Sequence, residues 1–101
     1  MTTTILLSDI TSEEKHCINV LVEQTLIGSR ISPYTDKLHK LLSDFRHRIE
    51  KAETDDGVFN KVEVQISDIR DYLGKVVANE DDLDGKFKYV VELRKFLNRN
   101  S

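Results

Sequence analysis

The stretch VFNKVEVQISDIRDYLGKVVA, residues 58–78, decides the fold class of this chain. Apolar residues recur in it at alternating intervals of three and four, as on one face of an amphipathic helix. These residues are Phe59, Val62, Ile66, Ile69, Leu73 and Val76. Val62, Val64 and Ile66 also alternate with polar residues, which is typical of a half-buried strand. Because the helical pattern persists for longer, we predict one helix over 58–78, with a strand over its first part as the alternative.

Three further helices are predicted, over residues 12–27, over residues 33–54, and from residue 81 or 84 to residue 98. Thr11 is a suitable N-cap for the first, and Glu14 completes a capping box. The apolar residues of this helix cover most of its circumference, which is typical of a central helix. Pro33 follows a serine at the start of the second helix, which is a strong start signal.

Short connections force neighbouring helices to run antiparallel. We therefore predict an all-α fold, either an antiparallel up-down four-helix bundle or a long hairpin of the second and third helices packed by the other two. The whole chain, residues 1–101, is expected to form one helical domain. Residues 1–10 are expected to be an extended arm or a disordered one.

The composition excludes several classes of function. The net charge of −3 provides no overall positive field to attract nucleic acid. No apolar run is long enough to span a membrane, and the first residues lack the basic region of a signal peptide. The single cysteine fits a reducing compartment. We therefore expect a cytoplasmic protein that has no membrane partner.

The last helix carries more apolar residues than one buried stripe requires. Tyr89, Leu93 and Phe96 lie on one helical face, beside a first apolar arc that contains Phe87 and Val90. Aromatic anchors of this kind are enriched at the centres of protein interfaces. We predict that Tyr89, Leu93 and Phe96 bind a partner. The alternative is that the last helix is wedged between two others, so that both arcs are internal.

A basic side of the second helix supports a second hypothesis, that of nucleic-acid binding. Its candidate contacts are Lys37, Lys40, Arg48 and Lys51. Acidic residues are interleaved with them, and Asp44 lies within the row. A solvated helix face is therefore the favoured interpretation.

Chemical sites are poorly supported by the sequence. Cys17 lies among apolar residues, and the adjacent His16 does not face it on a helix, so we expect a buried and inert thiol. His39 and His47 lack a third metal ligand at a useful spacing. The acidic residues 80–84 have part of the spacing of a calcium loop, but Val91 occupies the position that requires Glu. We expect no catalytic residue, no metal site and no cofactor.

Taken together, these patterns predict a small non-enzymatic helical protein that acts by protein–protein interaction. It would be an adaptor, an inhibitor or an immunity-like regulator. Its expected partner is another protein or a second copy of itself, which would form a homodimer. The alternative is a nucleic-acid-binding regulator that uses the basic face of the second helix.

Overall fold

The computed structural model describes residues 2–30, 32–54, 60–79 and 87–100. Within these ranges the chain is mostly helical, with four α-helices and two short strands. In chain order the elements are β1 (Thr3–Leu6), a 3-10 turn (Leu7–Asp9), α1 (Ser12–Gly28), α2 (Pro33–Thr54), β2 (Lys61–Val64), α3 (Ile66–Asn79) and α4 (Phe87–Arg99). The mostly helical fold is therefore confirmed, but the fold is not all-α.

The two strands form an antiparallel sheet in which Thr3 lies opposite Val64 and Leu6 lies opposite Lys61. The prediction of one continuous helix over residues 58–78 is therefore wrong in its first part, and the alternative strand is correct there. The first residues of that stretch belong to residues 55–59, which lie outside the described ranges. Within the expected N-terminal arm, Thr3–Leu6 are extended and form β1, whereas Leu7–Asp9 form the 3-10 turn.

Side-chain burial explains why β2 is a strand. Val62 and Val64 are buried, whereas Lys61 and Glu63, which alternate with them along the strand, are exposed. Val64 is the deciding residue, because the helical spacing omits it and the structure buries it to 2% exposure. The helical pattern is real only from Ile66 onward, where α3 begins.

The predicted starts of the first two helices are confirmed. The Thr11 hydroxyl accepts a hydrogen bond from the Glu14 backbone N–H at 3.1 Å, and the Glu14 carboxylate accepts one from the Thr11 N–H at 2.9 Å. This reciprocal capping box satisfies two N–H groups at the start of α1. The helix α2 has the predicted bounds. The predicted start of the last helix, at residue 81 or 84, lies outside the described ranges.

The central helix is α2 rather than α1. It packs against α1, α3, β2 and the 3-10 turn, and its buried side chains include Leu42 and Phe45. The strand β2 contacts the second half of α2, since residues within 44–52 line a groove with residues 61–63 and the Asn60 side-chain amide donates a hydrogen bond to the Ala52 carbonyl oxygen at 2.6 Å. None of the helices in the described part of the chain is both long enough and apolar enough to cross a membrane.

The helix α4 packs mainly against α1. Tyr89, near the start of α4, contacts His16, and Arg99, at its end, bonds Glu14 at 2.6 Å. Val90 lines a small cavity with Leu21 and Thr25, so the contacts of α4 extend into the second half of α1. Because the described chain also contains the two-stranded sheet, a strict all-α four-helix bundle is not confirmed.

Candidate functional site

The predicted partner-binding face of α4 is mostly internal. Leu93 and Phe96 are each 1% exposed. The Phe96 ring stacks on the Phe45 ring, with 5.8 Å between the ring centroids. Tyr89 is half-buried and packs against the core. The exposed Tyr89–Leu93–Phe96 face that the spacing predicted is therefore not present on the described chain, because α4 is wedged against the core and both of its apolar arcs contribute to it.

The thiol of Cys17 is buried, as the sequence predicts. It donates a hydrogen bond to the Tyr89 carbonyl oxygen, with Sγ and O 3.1 Å apart. Burial, and secondly the negative charge of Glu92, raises the pKa of Cys17 to about 11. The thiol therefore stays protonated at neutral pH, which makes it a poor nucleophile. A cleft of about 540 Å³ lies beside it, between α1 and the start of α4.

His39 has a structural role. Its Nδ1 atom lies 3.0 Å from the Val22 carbonyl oxygen and 3.1 Å from the Thr25 hydroxyl oxygen. A carbonyl oxygen only accepts hydrogen bonds, so Nδ1 carries the proton and His39 ties α2 to α1. His47 is exposed on the same helix. In the described ranges, no group of three or more His, Cys, Asp or Glu residues is placed to hold a metal ion. The acidic stretch at residues 80–84, which has part of the spacing of a calcium loop, lies outside those ranges.

The four basic residues predicted on α2 fall into two separate pairs. Lys37 and Lys40 lie in the first half of the helix, and Lys40 is paired with Asp36 at 3.1 Å. Arg48 and Lys51 lie two to three turns further on and face β2. Since Lys37 and Arg48 are about 16 Å apart along the helix axis, the structure does not gather all four into one site.

Arg48 and Lys51 line a groove between α2 and β2, which we call the α2–β2 groove. Its volume is about 480 Å³. The residues that line it are Asp44, His47, Arg48, Lys51, Ala52, Lys61, Val62 and Glu63. Since none of these residues belongs to β1, the groove lies on the side of β2 that faces away from β1.

A second surface feature lies where α1 ends and α2 begins. Leu26, Ile27 and Tyr34 are the large apolar residues that the fold leaves exposed in the described chain, at 57%, 70% and 41% exposure. The turn between the helices is closed by a hydrogen bond from the Ser32 N–H to the Gly28 carbonyl oxygen, at 3.3 Å. We call Leu26, Ile27 and Tyr34 the α1–α2 corner.

The sequence interpretation missed this corner, although the sequence contained a signal for it. Leu26 and Ile27 are neighbours in a helix, and neighbouring side chains point about 100° apart. Relative to the core stripe that contains Leu21 and Val22, Leu26 points about a quarter-turn to the side and Ile27 points almost directly away. The apolar surplus is therefore found at the end of α1, whereas the prediction placed it on α4.

No known protein family, curated protein or solved structure matches this chain. The function is therefore inferred from the geometry of the α2–β2 groove and the α1–α2 corner.

Proposed function

We propose that this chain is a non-enzymatic protein-binding protein that self-associates through the α1–α2 corner. The observation that carries the proposal is the exposure of Leu26 and Ile27, which are 57% and 70% exposed in the isolated chain. Complete burial of an exposed Leu or Ile contributes about 1.5–3 kcal/mol. Covering these two side chains therefore offers roughly 2–4 kcal/mol, before the cost of association is subtracted.

Tyr34 supports the corner as a contact surface because its ring is already held in place. The Tyr34 ring lies 6.5 Å from the Tyr72 ring, and the Lys75 ammonium lies 5.4 Å from the Tyr34 centroid. An aromatic side chain that is fixed before binding loses little conformational freedom on binding. Tyrosine is also among the residues that are enriched at interface centres.

The charges beside the corner favour a second copy of the chain as the partner. Glu23 and Arg30 are exposed on the two sides of the Leu26–Ile27 pair. Among the described residues, neither forms an ion pair. A two-fold axis between Leu26 and Ile27 places Leu26 against Ile27 of the second copy, and Glu23 against its Arg30. The same surface patch on two copies therefore matches both in its apolar contacts and in its opposite charges, as a symmetric interface requires.

The test is the molecular mass in solution over a range of concentrations, measured by light scattering. For the unchanged chain we expect the mass to rise from 11.7 kDa towards twice that value. The variant Ile27→Lys is expected to stay at 11.7 kDa. The matched control Asn19→Lys adds the same charge at an exposed position of α1, and it should behave like the unchanged chain. A mass of 11.7 kDa for the unchanged chain at every concentration would refute self-association.

A further inference from the structure

The hydrogen bonds of the sheet show which edge of β2 is free. The Leu7 N–H donates a hydrogen bond to the Asn60 carbonyl oxygen at 2.9 Å. Leu7 and Asn60 are the next opposite pair after Leu6 and Lys61, the last pair of the sheet. Bonded and non-bonded pairs alternate along an antiparallel ladder. The bonded pairs are therefore Ile5 with Val62 and Thr3 with Val64.

The backbone groups of Lys61 and Glu63 consequently point away from β1, towards the α2–β2 groove. In the described structure no other backbone group bonds to them. Each residue offers one N–H donor and one C=O acceptor at this edge. An unpaired strand edge of this kind is a template for adding another extended strand.

The charges that line the groove indicate the chemistry of the added strand. Arg48 bonds Asp44 at 2.9 Å and Glu63 at 3.4 Å, so that one guanidinium bridges both acidic groups of the lining, and with Lys51 and Lys61 the basic groups exceed the acidic ones by one charge. Lys51 and Lys61 are exposed, and neither has an ion pair among the residues that the structure describes. The groove is thus locally positive, although the chain as a whole carries a net charge of −3.

We propose that the α2–β2 groove binds an extended acidic peptide segment of a partner protein, which adds to β2 as a third strand. The peptide backbone bonds the free groups of Lys61 and Glu63, and its carboxylates lie near the ammonium groups of Lys51 and Lys61. A peptide fits this site better than a nucleic acid does, because the lining contains a strand edge and no Phe, Tyr or Trp ring for base stacking. This inference is independent of self-association, since the groove contains no residue of the α1–α2 corner.

The first test is fluorescence anisotropy with a labelled peptide of alternating Glu and Val, added to the full chain at low salt. A Lys–Val peptide and a labelled oligo-dT strand are the comparison probes. The double variant Lys51→Glu/Lys61→Glu is expected to weaken binding of the Glu–Val peptide about tenfold or more. The matched control Lys37→Glu/Lys40→Glu changes the same charge on α2 outside the groove, and it should leave binding unchanged.

The second test separates strand addition from simple charge attraction. N-methylation of alternate peptide amides removes backbone donors and leaves every charge in place. One of the two alternating methylation patterns is expected to weaken binding at least tenfold, because it removes the donors that face β2. Amide hydrogen exchange of Lys61 and Glu63 should also slow when the unmodified peptide binds.

Three results would overturn the proposal. The first is that neither methylation pattern affects affinity, since binding would then be electrostatic only. The second is that both pairs of charge reversals weaken binding equally. The third is that oligo-dT binds more tightly than the Glu–Val peptide, which would favour a nucleic-acid interface along the whole basic side of α2. Because self-association is measured without any peptide, its failure and the failure of this proposal are separate outcomes.

Discussion

Replacing Phe96 with alanine tests whether the apolar face of α4 belongs to the core. Phe96 is 1% exposed, its ring stacks on Phe45 at 5.8 Å, and the Arg99 guanidinium lies 5.7 Å from the ring centroid. Truncation of a phenylalanine in such a site costs about 3–5 kcal/mol. Small domains have a total stability of roughly 5–15 kcal/mol, so Phe96→Ala should remove a large share of it.

The measurement is urea denaturation followed by circular dichroism at two protein concentrations. If Phe96 belongs to the core, Phe96→Ala lowers the free energy of unfolding by the same amount at both protein concentrations, because the lost packing does not depend on association. The control Ile27→Ala changes a residue that is 70% exposed, and it should alter the stability of the monomer by less than about 1 kcal/mol. A Phe96→Ala variant as stable as the unchanged chain, or a loss that varies with concentration, would refute the core assignment.

Three further predictions concern the cap, the strand and the thiol. Thr11→Ala should lower the free energy of unfolding by about 1 kcal/mol in urea denaturation, because it removes the capping box, whereas Ser12→Ala should cost less. Val64→Asp should lower it by at least about 2 kcal/mol, and Gln65→Asp should have little effect; equal effects would contradict the strand. The folded chain holds the Cys17 proton up to about pH 11, whereas the unfolded thiol ionises near 9.0. Stability should therefore fall as pH rises from about 9 to about 11. The contribution of Cys17 to this fall in stability should be absent in Cys17→Ala. An equal fall in the Cys17→Ala variant would show that the thiol does not cause it.

Local signals in the sequence predicted the starts of α1 and α2 correctly. The capping box of Thr11 and Glu14 and the proline at position 33 act within one turn, so these two starts can be inferred from neighbouring residues. The heptad spacing was correct for α3, where Ile66, Ile69 and Leu73 are all buried.

The strand required information that local spacing does not contain. Val62 satisfies both the helical and the strand pattern, and the partner that selects the strand is β1, more than fifty residues earlier in the chain. β1 is a short segment rich in β-branched residues, and a lone segment of this kind does not reveal what it pairs with. Non-local pairing is therefore the feature that the sequence interpretation missed.

The candidate surfaces could be predicted only in part. Arg48 and Lys51 were identified from the basic side of α2, but their groove with Lys61 depends on the position of β2. The apolar surplus was predicted on α4, whereas the large apolar residues exposed on the described chain lie at the α1–α2 corner. Helical periodicity shows that α4 has two apolar arcs, but it carries no information about how many elements pack against them.

The most direct test of self-association through the α1–α2 corner is a charge exchange between Glu23 and Arg30, followed by sedimentation equilibrium. Glu23→Arg alone and Arg30→Glu alone each place like charges together across the two-fold axis, and each should weaken the dimer about tenfold. The double variant restores opposite charges, so its dissociation constant should return to within about threefold of the original. A double variant that dimerises no better than the single variants would contradict the proposed interface.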